Sequence, residues 1–151
     1  MESLEQAGNP TEAGAVTRRL EEESPEVSWF VEGRLRAARG DLAGAEEAYR
    51  RALAIDPRAP EAHWELGRAL AAAGRSDEAA AAFRALLEIE PAHGPAWLEL
   101  GRALLPTDRA AATLALEKAA AYMPDSIEAR RELYAARGGS DGQGEAEGGR
   151  R

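Results

Sequence analysis

The sequence has no cysteine, only two histidines and few aromatic residues. The absence of cysteine excludes a disulfide framework, a thiol nucleophile and a Cys-ligated zinc site. His63 and His93 have no partner at metal-ligand spacing, so we interpret both as structural or solvated residues. The sequence therefore predicts no metal site, and no motif in it indicates a cofactor.

Basic residues and long apolar runs are also scarce. The chain has 27 acidic and 19 basic residues, and its net charge of −8 argues against a nucleic-acid partner, which requires a basic surface. No apolar run is long enough to cross a bilayer, and the polar, acidic start of the chain is unlike a signal peptide. We expect a cytoplasmic protein without membrane insertion.

Alanine accounts for most of the apolar residues that are present. It makes up roughly a quarter of the chain, well above ordinary usage, whereas bulky β-branched residues are few. Small side chains favour helices and their close approach, while sheets favour β-branched residues. The composition and the length of 151 residues therefore predict one all-α domain.

Several residue types recur every 34 residues through the middle of the chain. Gly33, Gly67 and Gly101, each followed by arginine, define the register. The other columns are Trp29/His63/Trp97, Ala45/Ala79/Ala112, Tyr49/Phe83/Leu116 and Pro57/Pro91/Pro124, with one residue deleted in the third copy. So many columns in one register indicate a repeated structural unit that stacks on its neighbours.

Each unit is predicted to contain two helices that cross closely. The first helix begins near a proline and, in two units, ends at a left-handed glycine; these residues are Pro25, Pro60, Pro95, Gly40 and Gly74. The second helix begins after Asp41, Ser76 or Thr107, which we interpret as N-caps, and stops at the recurring proline. We expect the glycine column to face the small alanine column at the crossing.

These motifs resemble the tetratricopeptide repeat family, most fully in residues 61–67 and 97–101. The resemblance implies an α-solenoid of three tandem helix–turn–helix units followed by a C-terminal capping helix. We place the repeat domain at 25–137, with units at about 26–59, 60–93 and 94–126 and the capping helix at 126–137.

The flanking segments differ from the repeats in composition. Residues 1–24 form a polar N-terminal arm, in which a capping-box pattern at Asn9 favours one helix over residues 10–23. The apolar face of this helix, Ala13, Val16 and Leu20, is narrow. The sequence therefore leaves open whether the arm docks on the solenoid, moves freely or recruits a partner. The Gly-rich tail over 138–151 is expected to be disordered.

Two departures from the repeat pattern mark the ends of the solenoid. Glu32 and Arg36 stand where the other units have leucines, and we expect them to pair on the exposed face of the first helix. Tyr134 stands in the glycine column of the capping helix, where no second helix follows and a small residue is not required.

The resemblance implies that the first helices of the units line a concave groove for an extended or helical peptide. The groove columns are Phe30, Trp64 and Leu98 as apolar anchors, Arg34, Arg68 and Arg102 as an arginine ladder, the small residues Ala38 and Ala72, and Arg131 on the capping helix. Arginine pairs bidentately with carboxylates, so a partner with acidic groups would fit. Alternatively, the arginine stems only cover alanine-rich surface.

Two further interpretations follow from these columns. Trp29 and Trp97 are predicted to lie in the core, whereas Trp64 is the exposed anchor. Some adaptors of the family clamp a chaperone's C-terminal carboxylate with Lys and Asn, but arginine occupies the asparagine column here, which disfavours that role.

The sequence favours a non-catalytic adaptor that binds a peptide segment of another protein. No nucleophile–base pair is indicated, and paired carboxylates such as Glu46–Glu47 are predicted to be surface charge, so no catalytic residue is assigned. The alternatives are a small client-specific export or assembly chaperone and a self-assembling scaffold, for which a homo-oligomer is expected.

Overall fold

The computed structural model describes residue 18, residue 22 and residues 24–139. This part of the chain is all-α, with seven helices and no strand, as predicted. The helices are α1 Pro25–Ala38, α2 Leu42–Ile55, α3 Pro60–Ala72, α4 Ser76–Ile89, α5 Gly94–Leu104, α6 Arg109–Tyr122 and α7 Ile127–Ala136. Each helix packs against the next one along the chain, which makes an α-solenoid capped by α7. Of the predicted helix over 10–23, only Arg18 and Glu22 are described, and both are helical; the tail beyond residue 139 lies outside the described residues.

The first helices begin and end as the sequence predicts. Pro25 and Pro60 open α1 and α3, where a missing backbone N–H costs nothing. Gly40 and Gly74 follow these helices with φ of 82° and 77°, a conformation that glycine adopts without a steric penalty.

Two of the three predicted N-caps of the second helices are wrong by one residue. Asp41 caps α2 by accepting a hydrogen bond of 2.9 Å from the Gly44 backbone N–H. Ser76 is the first residue of α4 instead of its cap, and Asp108 replaces Thr107 as the cap of α6. The Thr107 hydroxyl bonds back to the Leu104 carbonyl oxygen at 3.4 Å, whereas the Asp108 carboxylate accepts from a backbone N–H of α6.

The glycine column approaches the column of large side chains, Tyr49, Phe83 and Leu116, most closely, and not the alanine column as expected. We call Tyr49, Phe83 and Leu116 the bulky column. A Cβ atom on Gly33 or Gly67 would lie 2.6 Å from Tyr49 or Phe83, and on Gly101 it would lie 2.6 Å from Leu116. The alanines of the predicted crossing, Ala45, Ala79 and Ala112, are fully buried in the same core. Glycine is therefore required because a large side chain of the second helix lies directly on the backbone of the first.

The two terminal helices show the predicted departures. Arg36 Nε pairs with Glu32 Oε1 at 2.7 Å on α1. The apolar side chains that accompany this pair, Val27, Val31 and Leu35, are exposed by 38–49%. Tyr134 on α7 is 56% exposed, and no helix follows it within residues 24–139.

Candidate peptide-binding groove

Three residues on α1 and three on α3 form one continuous face of the solenoid. On each helix they are spaced four residues apart, so they lie on the same side, and the two sets are 34 residues apart in the repeat register. They are Phe30, Arg34 and Ala38 on α1 and Trp64, Arg68 and Ala72 on α3. The aromatic residues are half-buried, and the arginines and alanines are exposed. We call this surface the two-unit groove.

The Trp64 ring packs against two aromatic neighbours and stays half-buried. Its centroid lies 5.7 Å from that of Phe83, in an edge-to-face arrangement, and 5.2 Å from that of His93. The Arg68 guanidinium carbon lies 5.9 Å from the same ring, at the outer limit of a cation–π contact. Arg68 is 59% exposed and its only ion pair within residues 24–139 is a 3.7 Å contact with Glu65, so its charge remains available.

The third unit does not extend this surface, which differs from the expected ladder. Leu98 is only 6% exposed and packs in a cluster with Leu116 and with Ala129 and Ala136 of α7. The capping helix therefore covers the position that we expected to be a third apolar anchor.

Arg102 is likewise occupied by acidic side chains of the same chain. Its guanidinium pairs with Glu99 at 3.0 Å, with Glu132 at 3.2 Å and with Glu128. Burial lowers the pKa of Arg102, but the hydrogen bonds to Glu128 and Glu132 outweigh it and the net pKa is raised. The same contact lowers the pKa of Glu128. The last predicted groove residue, Arg131, lies exposed on α7, and its charge helps to lower the pKa of Glu128.

A pocket next to Phe30 was not expected from the sequence. It has a volume of about 390 Å³ and lies between α1, α3 and the α2–α3 turn. Phe30, Val27 and Ala62 supply apolar walls, whereas Asp56 and Glu61 bring negative charge to its rim. An apolar side chain of a partner would be buried here, and an acidic one would be repelled.

The same pocket recurs one unit later but is much smaller, at about 110 Å³. Trp64 replaces Phe30, Leu86 replaces Ala52, and His93 replaces Ala59 in the repeat register. These larger side chains fill the space. The difference in side-chain size could be seen in the repeat columns of Phe30, Ala52 and Ala59. However, only the fold brings these three positions around one pocket.

Neither a metal-binding cluster nor a membrane-spanning helix is found in the described residues. Residues 24–139 contain no group of three His, Asp or Glu side chains that could hold a metal ion. None of the described helices is long and apolar enough to span a membrane.

The comparison with known proteins agrees with the repeat register. Residues 30–94 match the family model described as tetratricopeptide repeat. The TPR domain of Sgt2 from Aspergillus fumigatus is 26% identical with a TM-score of 0.67, over 76% of this chain and 78% of that one. No curated protein matches the sequence.

Two structures with bound peptides share the fold. The first TPR of Spaghetti (RPAP3), solved with the HSP90 peptide SRMEEVD, is 17% identical with a TM-score of 0.71, over 75% of this chain and 90% of that one. The type III secretion chaperone SycD of Yersinia enterocolitica, in complex with a peptide of the translocator YopD, is 15% identical with a TM-score of 0.66, over 72% and 89%. The repeat register, the solenoid of paired helices and the match over residues 30–94 together show that this chain contains repeats of the tetratricopeptide type.

Proposed function

We propose that the chain is a non-catalytic adaptor that binds a peptide segment of a partner protein in the two-unit groove. The observation that carries this proposal is the pair of Trp64 and Arg68. An aromatic ring held rigidly on one side and an exposed arginine beside it combine the two residue types that dominate binding energy at interfaces. RPAP3 and SycD, which share the fold, bind peptides of HSP90 and YopD, and this supports a peptide ligand here.

The charges of the groove support a peptide with acidic groups. Arg34 and Arg68 occupy equivalent positions on neighbouring helices and are exposed, so carboxylates of the peptide pair with them. Asp56 and Glu61 at the rim of the Phe30 pocket repel acidic groups there. The peptide therefore places an apolar side chain in the pocket and its acidic residues over the arginines.

The capping helix limits the groove to the first two units. Leu98 and Arg102 contribute only if α7 leaves its place, because α7 covers the first and pairs with the second. The proposed binding residues are therefore Phe30, Arg34, Trp64 and Arg68, flanked by Ala38 and Ala72.

The test is a charge reversal in the groove with a matched charge reversal elsewhere. The full chain is immobilised and proteins retained from a native lysate are quantified by mass spectrometry. We expect Arg34→Glu/Arg68→Glu to lower the amount of the specific partner by about tenfold or more, since reversed charges repel its carboxylates.

The control is Arg84→Glu, which reverses an exposed charge on α4, outside the groove. It should retain the partner at the level of the unmodified chain. Equal retention by the groove variant and by the control would contradict the proposed site, and circular dichroism verifies that both variants are folded.

A further inference from the structure

The second unit lacks a feature that the first and third units share. The Arg51 guanidinium carbon lies 4.5 Å from the centroid of the Trp29 ring, and Lys118 Nζ lies 4.8 Å from that of Trp97. In both units a cation therefore covers an indole ring. The equivalent positions of the second unit are His63 and Ala85, so both the indole and its cation are missing.

His63 preserves the hydrogen bond of the tryptophan but not its bulk. Trp97 Nε1 donates to the Pro91 carbonyl oxygen at 2.8 Å. His63 Nε2 donates in the same way to the Pro57 carbonyl oxygen, also at 2.8 Å. The imidazole has no counterpart of the six-membered ring, so the polar contact of this column is kept and the space of the ring is left open.

A cavity of about 480 Å³ lies at this place, bounded by α2, α3 and α4. Leu66 and Leu70, both buried, form part of its apolar lining. Ala81 and Ala85 line it from α4, where the third unit has the larger Leu114 and Lys118. An apolar cavity of about 150 Å³ is sufficient for a benzene ring, so this one admits a larger aromatic group.

Two charged side chains line the cavity and are complementary to an aromatic ring that carries an N–H donor. Arg50 and Glu78 both line it and lie 3.3 Å apart, Nη2 to Oε2, within an exposed network in which Arg50 also pairs with Glu46 at 2.9 Å and Glu78 with Arg75 at 2.6 Å. Their side chains are 50% and 48% exposed, so a partner can reach them. The guanidinium complements the π face of an incoming ring, and the carboxylate complements a ring N–H.

We propose that this cavity is a docking site for a tryptophan side chain of a partner protein. The indole takes the place that Trp29 and Trp97 fill in the other units, with its ring on Leu66 and Leu70 and its edge at Arg50 and Glu78. The site is separate from the two-unit groove, because Trp64 and Arg68 lie about 100° and 140° around α3 from His63. The protein therefore has a second binding surface on a different face of α3.

Free indole is the probe that tests this site. Titrated into the full isotopically labelled chain, it should shift the amide resonances of Leu66, Leu70 and Ala85 and leave those of Arg34 and Arg68 in place. Cyclohexylmethanol, which has no aromatic ring, should bind about tenfold more weakly than indole. An unchanged spectrum with indole, shifts confined to the groove, or equal binding of the two compounds would overturn the proposal.

Two variants fill the cavity from different helices. His63→Trp restores the indole of the other units, and Ala81→Leu introduces the residue of the third unit; each should weaken indole binding by about tenfold or more. The groove variant Arg68→Glu should bind indole like the unmodified chain, so a failure here is separate from a failure of the peptide-binding groove. Undiminished binding by either folded variant overturns the assignment.

Discussion

At the scale of single residues, the bulky column opposite the glycines decides how the two helices of a unit pack. Tyr49, Phe83 and Leu116 are at most 1% exposed, and each lies against a glycine backbone. Tyr49 differs from the other two because its hydroxyl is buried without a hydrogen-bond partner in the described part of the chain. Burial also raises the pKa of this phenol. The tyrosine is therefore a weak point in an otherwise apolar contact.

Replacing Tyr49 with phenylalanine should stabilise the protein. The change removes an unpaired buried hydroxyl and reproduces the residue of the second unit, Phe83, so we expect a gain of about 1 kcal/mol in the free energy of unfolding. Urea denaturation followed by circular dichroism measures it. Phe83→Tyr is the matched reverse change and should cost a similar amount; equal stability of all three proteins would contradict this account.

At the scale of helices, α7 does more than shield the end of the solenoid. It covers Leu98 and brings Glu128 and Glu132 to Arg102, which removes the third unit from the groove. The sequence predicted a polar capping helix at this place, but it did not predict that the cap would neutralise a groove arginine. Residues 102 and 128 are far apart in sequence, and only the packing of α7 brings them together.

The docking of α7 should depend on pH through Glu128. Arg102 lowers the pKa of this carboxyl in the folded chain, so its contribution is present above the ordinary range of glutamate and is lost as the pH falls through the lowered folded value. Amide hydrogen exchange of α7 should therefore accelerate at acidic pH relative to that of α4.

The variant that tests this contribution is Glu128→Gln, which should reduce the pH dependence of exchange in α7. Glu88→Gln, an exposed change on α4, should leave it as in the unmodified chain. An identical pH dependence in α7 for the Glu128 variant and the unmodified chain would show that this ion pair does not hold the cap.

At the scale of the whole molecule, the core of the described residues is one buried cluster that runs from α2 to α6 and a second one under α7. Contacts run between neighbouring helices along the chain, so each unit depends on the next for burial of its apolar face. Since each unit is short, we expect that no unit remains folded after its neighbour has unfolded. The molecule should therefore behave as one cooperative unit.

The central unit offers a direct test of this cooperativity. Leu86 is 1% exposed, and Leu86→Ala should cost about 2–5 kcal/mol through lost burial and a residual cavity. Each unit contains one tryptophan, at positions 29, 64 and 97, so variants that retain only one of them report on single units. We expect the urea midpoint to fall equally for all three reporters. A midpoint that stays unchanged at Trp29 or Trp97 would mean that the end units unfold independently.

The sequence by itself determined the repeat, the all-α class and the order of the helices. These follow from local chemistry: prolines open helices, glycines with positive φ end them, and the recurrence of glycine with alanine and aromatic columns sets the register. The N-caps of α4 and α6 were misplaced by one residue, because Ser76 is already the first residue of α4 and the Asp108 carboxylate, not Thr107, caps α6.

Only the tertiary structure decided which of the repeated positions are accessible. Arg68 and Arg102 occupy the same column, yet one is exposed and the other is paired with α7. His63 and Trp97 also occupy the same column, and each bonds to the carbonyl oxygen of the proline six residues before it. A cavity lies beside His63, and the residues that line it come from three different helices. The reason is physical: accessibility depends on neighbours that are distant in sequence, and the repeat register records only the position within a unit.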